Sequence, residues 1–224
     1  MMKQREPVTT SKNRIYRQLR RAIIMGHRQP GERLSVSELS KTYGGGVTPV
    51  RDALQMLGQE GLVTIKPRSG YFVTSITLKE LRDLLEMREI LETAAAERAA
   101  LRVGETALAE LAAVHQGYTG DDDESYDRYT DENRRFHYLL AQASGNETLA
   151  EMLGRLHDRL ARFMVLRHAG HTQAESHARI VAALRVRDAA ATRQAILDEI
   201  TETREAILDR VVQLEGAAWE IKVR

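Results

Sequence analysis

Apolar residues recur every three or four positions along most of the chain, a spacing that is typical of amphipathic helices. In the first third, this pattern predicts helices over residues 12–26, about 35–43 and 48–61. Two short apolar runs follow at residues 62–65 and 71–73, and the turn-forming segment between them predicts a two-stranded hairpin. Helix, helix, turn, helix and hairpin in this order indicate a winged helix-turn-helix.

Beyond residue 77 every remaining pattern is helical, and the connections are short. Short connections favour a compact antiparallel bundle. The sequence therefore predicts a mainly α fold with two domains, a winged helix-turn-helix with a two-stranded wing over residues 1–76 and an all-helical bundle over residues 77–224. The predicted helices of the bundle cover residues 78–103, 105–117, 124–143, 147–168, 174–187 and 189–215.

Charge is distributed unevenly between these two parts. The 224 residues carry a net charge of +1, but residues 1–75 contain 13 Lys and Arg against 5 Asp and Glu, which gives +8. Residues 76–224 contain 20 against 27, which gives −7. A basic part that binds a polyanion, joined to an acidic part with another task, is the simplest interpretation.

The absence of cysteine excludes disulfides, thiolate metal ligands and cysteine nucleophiles. No apolar run reaches the roughly 20 residues that span a bilayer, and the polar start lacks the apolar stretch of a secretory signal. We therefore expect a cytoplasmic protein with no membrane partner.

The third predicted helix begins at a Val-Thr-Pro-Val-Arg run, where a recognition helix would meet DNA in the major groove. Thr48 can bond a phosphate and Arg51 can reach a guanine edge or a phosphate. The hairpin turn would form a wing tip that places Arg68 in the minor groove. A lone arginine is more often a solvated surface charge, but the ordered elements and the basic charge favour DNA contact. The residues expected to contact DNA are Ser37, Val47, Thr48, Pro49, Arg51, Arg68, Ser69 and Gly70.

The segment PGERLSVSELSKTYGGGVTPVRDALQMLGQEGLVTIKPRSGYFV resembles the DNA-binding half of the GntR family of bacterial transcription regulators. The resemblance covers residues 12–74 and implies a winged helix-turn-helix that binds double-stranded operator DNA. Members of the family usually have Gly-Val-Ser-Arg before the Thr-Pro-Val-Arg run. This chain has Gly44-Gly45-Gly46-Val47 instead, so a phosphate-contacting serine and a base-reading arginine are missing. We expect a looser turn and an altered operator preference.

Several polar residues share helix faces with apolar residues in the second part. Arg88 lies on a face with leucines and needs a partner, either a buried glutamate or the carboxylate of a ligand. His137, His177 and Glu199 lie on similar faces, and with Asn133 they could surround one divalent ion. A lone histidine on such a face is more often a hydrogen-bonded core residue, so spacing alone leaves both interpretations open.

The segments EMREILETAAAERAA, NRRFHYLLAQASGN and ESHARIVAALRVRD resemble the FCD effector domain of FadR-type GntR regulators. In many members an Asp and three His bind a divalent metal, and an arginine on the first helix meets a small carboxylate effector. The resemblance assigns the metal positions to Asn133, His137, His177 and Glu199, and the effector position to Arg88. Asn133 replaces the Asp and Glu199 replaces the third His, a set still suited to Zn²⁺, Ni²⁺ or Mn²⁺. His157, His168 and His171 are expected at the surface, near a helix end and a loop.

Together these features predict a DNA-binding transcriptional regulator, a repressor that responds to a small organic acid, with or without a bound metal. Homodimers are expected, because one recognition helix buries little DNA surface. The alternatives are an architectural DNA-binding protein without an effector and, much less favoured, a metal-dependent enzyme in the helical domain. No convincing general base supports an enzyme.

Overall fold

The computed structural model describes residues 10–114, 123–166 and 170–213. The chain divides into two compact units, one up to Ser75 and one from Ile76 onward. None of the helices in the described ranges is long and apolar enough to cross a membrane. The mainly helical fold with an N-terminal winged helix-turn-helix is confirmed.

Unit 1 contains three helices and a small antiparallel sheet. In chain order its elements are α1 (Ser11–Ile24), β1 (Arg33–Leu34), α2 (Val36–Tyr43), α3 (Val47–Gln59), β2 (Val63–Lys66) and β3 (Gly70–Val73). The predicted hairpin is β2 and β3, with Val63 opposite Val73 and Lys66 opposite Gly70. The sheet has one strand more than the predicted wing, because the two residues of β1 pair with β3.

The helices of unit 1 form a core because each presents an apolar face inward. The Thr10 side chain caps α1 at the Asn13 N–H, and the Ser35 side chain caps α2 at the Glu38 N–H. Helix α3 packs against α1 and α2. The fully buried apolar side chains of these helices are Ile15, Leu19, Ile23, Ile24, Leu39, Val50, Ala53, Leu54 and Leu57.

Unit 2 contains six helices in its described part. They are α4 (Leu78–Arg102), α5 (Glu105–Ala112), α6 (Asp123–Ala143), α7 (Glu147–Leu166), α8 (Gly170–Arg185) and α9 (Ala189–Gln213). The boundaries agree with the predicted ones within a few residues, except that α5 ends at Ala112 rather than 117. The Ala113 N–H bonds to carbonyls of residues 109, 110 and 111, which tightens and ends the helix.

Helix α4 is the central element of unit 2. A capping box between Thr77 and Glu80 fixes its start. It packs against α6, α7, α8 and α9. Its buried residues include leucines and alanines, but also Arg88 and Glu92. A charged pair on the most enclosed helix must find partners on the surrounding helices.

Candidate functional site

The exposed face of α3 carries the residues predicted to enter the major groove. Val50, Ala53, Leu54 and Leu57 turn into the core, which leaves Val47, Thr48 and Arg51 in solvent. Pro49 is half-buried within the first turn, where its missing N–H leaves no donor unpaired. Arg51 makes no ion pair with any residue that the structure describes. Its guanidinium is therefore available to a phosphate or a base.

The wing presents a second cation. Its turn is closed by the Ser69 N–H, which donates to the Lys66 carbonyl at 3.1 Å. Arg68 has a φ of 60° and Gly70 a φ of 109°, both in the left-handed region that makes such a turn possible. The side chains of Arg68 and Ser69 are exposed. Ser37 is exposed on α2, and its hydroxyl lies 3.0 Å from the Ser35 hydroxyl.

The backbone conformation of the turn before α3 requires glycine. Gly44 and Gly45 have φ values of 66° and 115°, and the Ser40 hydroxyl donates to the Gly45 carbonyl at 2.5 Å. A Cβ on Gly45 would lie 3.3 Å from Ile15 Cδ1. The turn expected to be loose is thus closed by a side-chain hydrogen bond and requires glycine at two of its positions.

The second candidate site is a cluster of charged and polar side chains buried in unit 2, which we call the buried cluster. Five helices contribute to it: Arg88 and Glu92 from α4, Asn133 and His137 from α6, His157 from α7, Gln173 and His177 from α8, and Glu199 from α9. Each of these side chains is at most 2% exposed. Residues four apart on one helix lie on the same face, which is why most of the helices contribute a pair.

Arg88 bridges α4 and α9. Its Nε donates to Glu92 Oε1 at 2.8 Å, and its Nη2 donates to Glu199 Oε1 at 3.0 Å. The same Nη2 lies 3.3 Å from His137 Nε2. Burial disfavours the charged guanidinium, but the two carboxylates outweigh it and raise the pKa of Arg88. The partner that the sequence required for Arg88 is therefore present inside the protein as two glutamates.

His137 lies between the same two carboxylates. Its Nδ1 is 2.8 Å from Glu92 Oε2 and its Nε2 is 3.4 Å from Glu199 Oε1. The contact with Glu92 is ionic rather than a directed hydrogen bond, since neither atom makes an aligned hydrogen bond with a described residue. Burial opposes protonation, but the carboxylates outweigh it and raise the pKa of His137 to about 9.

Glu92 and His157 also belong to the cluster, although neither is among the site residues predicted from the sequence. His157 Nε2 is 2.6 Å from Glu92 Oε1, and the His157 ring stacks on His137 with centroids 4.6 Å apart. The prediction that His157 lies at the surface is wrong, because it sits in the middle of α7 on the buried face with Leu153 and Leu160. The side chains of His168 and His171 lie outside the described residues.

The opposite charges of the cluster stabilise one another. Burial lowers the pKa of His157 to about 4, although the neighbouring Glu92 carboxylate acts to raise it. This imidazole is therefore neutral at pH 7. Burial also penalises the Glu92 and Glu199 carboxylates, yet Arg88 and the histidines hold both pKa values well below the usual range. The positive charges of Arg88 and protonated His137 therefore balance the negative charges of the two glutamates.

The far side of the cluster contains His177. Its Nε2 lies 3.5 Å from Glu199 Oε2 and 3.3 Å from Gln173 Nε2. Its ring stacks on Phe136 with centroids 3.7 Å apart, which fixes the orientation of the imidazole. A cavity of about 320 Å³ between α5 and α8 reaches His177 and is lined mainly by small apolar side chains.

Two sets of residues in the cluster have the composition of a metal site. Each of His137, His177 and Glu199 contributes an atom within 4.8 Å of the other two, and the same is true of Glu92, His137 and His157. The first set contains three of the four predicted metal positions. Asn133, the fourth, is buried one turn before His137, and its Oδ1 makes no hydrogen bond among the described residues. The Glu199 Oε2 atom is also without a hydrogen bond there.

These features fit a divalent cation. Buried oxygen atoms without donors are costly, and a metal bound by two imidazoles, a carboxylate and an amide oxygen would satisfy both of them. The buried histidine and glutamate groups could therefore bind a metal.

Comparisons with known proteins agree with this architecture. The family model described as "Bacterial regulatory proteins, gntR family" matches residues 11–73, and the FCD domain model matches residues 83–202. The uncharacterised HTH-type transcriptional regulator YdhC of Bacillus subtilis is 30% identical over 82% of this chain and 84% of its own length. The HTH-type transcriptional repressor RspR of Escherichia coli is 29% identical over 89% and 90%.

Among solved structures, E. coli McbR/YncC superposes with a TM-score of 0.68 at 23% identity, covering 91% of this chain and 98% of that one. At this identity the likeness concerns the fold.

Proposed function

The chain belongs to the gntR family of bacterial regulatory proteins and carries an FCD domain, and from this premise we propose that it is a repressor whose DNA binding responds to a small organic acid. Its relatives are transcriptional regulators, so it is a regulator and not an enzyme. It acts in the cytoplasm, where its operator is.

The observation that carries the DNA-binding role is the exposed N-terminal turn of α3. Thr48 and the helix N-terminus hold a phosphate, and Arg51 reads a base edge or binds the next phosphate. Ser37, Val47 and Pro49 pack along the same groove, and Arg68, Ser69 and Gly70 of the wing contact the neighbouring minor groove. Two copies of the chain bind paired half-sites, since a single α3 covers too little DNA for specific recognition.

The sensing role belongs to the buried cluster. Asn133, His137, His177 and Glu199 would hold Zn²⁺, Ni²⁺ or Mn²⁺, and the bound metal would supply a Lewis acid for a carboxylate. Arg88 would bind the same carboxylate through a charge-assisted hydrogen bond. The apolar cavity beside His177 favours an acid with a small apolar body.

Selection of genomic fragments by the full-length protein tests the regulatory role. We expect the recovered fragments to share an inverted repeat whose half-sites lie about one helical turn apart. An architectural DNA-binding protein would instead recover fragments with no common sequence.

Elemental analysis of protein purified without an affinity tag tests the metal site. We expect close to one divalent metal ion per chain in the wild type and a loss of that metal in His137→Ala. His27→Ala is the control, because His27 is an exposed histidine of unit 1 and is not among the predicted metal positions. Equal metal content in the wild type and His137→Ala would reject the site.

Titration calorimetry of the metal-loaded protein with dicarboxylates, sugar acids and aromatic acids tests the effector. Binding of one class that Arg88→Met abolishes supports the proposal. If no acid binds the metal-loaded protein, a DNA-binding protein without an effector is the better description, and the internal pairing of Arg88 with two glutamates favours that alternative.

A further inference from the structure

Arg88 already occupies part of the site assigned to the metal. Its Nη2 is 3.0 Å from Glu199 Oε1 and 3.3 Å from His137 Nε2. Both residues are proposed metal ligands. A divalent cation that binds them must come close to a buried guanidinium, and like charges repel strongly where little water screens them.

Arg88 also has a partner that is not one of the proposed ligands. Its Nε donates to Glu92 Oε1 at 2.8 Å, four residues along the same helix. His157 Nε2 holds the same carboxylate at 2.6 Å from α7. Arg88 can therefore lose its hydrogen bond to Glu199 and remain paired with Glu92 inside the protein, because His157 holds the Glu92 carboxylate in place.

We propose that Arg88 competes with the divalent metal for Glu199 and His137, and that Glu92 retains Arg88 when the metal displaces it. This inference rests on the proposed metal site. Under this proposal Arg88 and Glu92 determine the metal affinity, although neither residue is a metal ligand. An acid that draws Arg88 away from Glu199 strengthens metal binding, and by reciprocity the metal strengthens binding of the acid.

Calorimetric titration of metal-stripped full-length protein with Zn²⁺ tests the competition. We expect Arg88→Met to bind Zn²⁺ at least about tenfold more tightly than the wild type. The double variant Arg88→Met/Glu92→Gln is the sharper test, because it removes one positive and one negative charge and leaves the net charge of the cluster unchanged. Loss of the competitor should raise the Zn²⁺ affinity of the double variant above that of the wild type and above that of Glu92→Gln, which controls for the contact between Glu92 and His137. An effect of net charge alone would leave the affinity of the double variant at the wild-type value.

Arg204→Met is the matched control. Arg204 joins α9 to α4 through Glu89 at 2.7 Å, so it bridges the same two helices as Arg88 without a contact to the cluster. We expect its Zn²⁺ affinity to equal that of the wild type. Thermal melting with and without Zn²⁺ gives a second readout, and the metal should raise the melting temperature of the Arg88 variants more than that of the wild type.

The outcomes separate the competition from the metal site itself. If the wild type binds Zn²⁺ and the double variant binds it no more tightly, the competition is wrong and the metal site stands. If no protein of the series binds Zn²⁺, both are wrong. Should Arg88→Met fold only when Zn²⁺ is added, the metal has replaced the missing cation, which supports the competition.

Discussion

His137 lies within ion-pair distance of Glu92 and Glu199, and its proton therefore contributes to the stability of unit 2. Its pKa of about 9 in the folded protein compares with about 6.5 for an unfolded chain. Because the folded pKa is the higher one, the stabilisation is complete below pH 6.5 and is lost as the pH rises through 9.

The free energy of unfolding should accordingly fall by up to about 3 kcal/mol between pH 6.5 and pH 9. Urea denaturation of metal-stripped protein across this range measures the change. His137→Gln should abolish the slope, whereas His157→Gln should keep it, since His157 is neutral throughout the range. An unchanged slope in His137→Gln would show that another group titrates.

Arg51 is the residue on which operator recognition depends most in this account. Truncation in Arg51→Ala should weaken binding to a selected fragment by about 1–3 kcal/mol, or roughly 10- to 100-fold. Arg17→Ala removes the same charge from the exposed face of α1 and should cost much less. Fluorescence anisotropy at constant salt compares the two variants, and equal losses would mean that Arg51 contributes only general charge.

At the scale of elements, apolar periodicity located the helices because each buries one face. It could not locate β1, whose two residues show no pattern and pair with β3 through the backbone alone. The leucine-rich face that contains Arg88 indicates that this arginine is buried and needs a partner. The same face includes Glu92 one turn later. His157 is near His168 and His171 in the sequence, which suggests a helix end, but its spacing from Leu153 and Leu160 puts it on the buried face of α7.

The turn between α2 and α3 offers a test of element geometry. Gly45→Ala places a Cβ 3.3 Å from Ile15 Cδ1 in a residue with a φ of 115°, and should destabilise unit 1 by roughly 1–3 kcal/mol. Gly46→Ala is the matched control, because Gly46 has a φ of −85° and its Cβ would meet only ordinary contacts. Chemical denaturation should show a loss for Gly45→Ala alone, and equal stability of the two variants would contradict the assigned turn.

At the scale of the whole molecule, the net charge of +1 conceals a basic N-terminal part and an acidic helical part. Charge, element order and resemblance to a known family were sufficient to predict the winged helix-turn-helix and the helical domain. They were not sufficient for the buried cluster, whose contacts join residues up to 111 positions apart on five helices. Only the packing of those helices shows that Arg88 is already paired.

Recognition of a particular DNA sequence is the property on which the proposed function depends most. Anisotropy at about 150 mM salt, where nonspecific attraction is screened, gives the affinity of the wild type for a selected fragment and for the same fragment with scrambled half-sites. The account predicts that the selected fragment binds at least about a thousandfold more tightly, and that Arg51→Ala reduces this ratio. A ratio near one would contradict the account and identify the protein as an architectural DNA-binding protein.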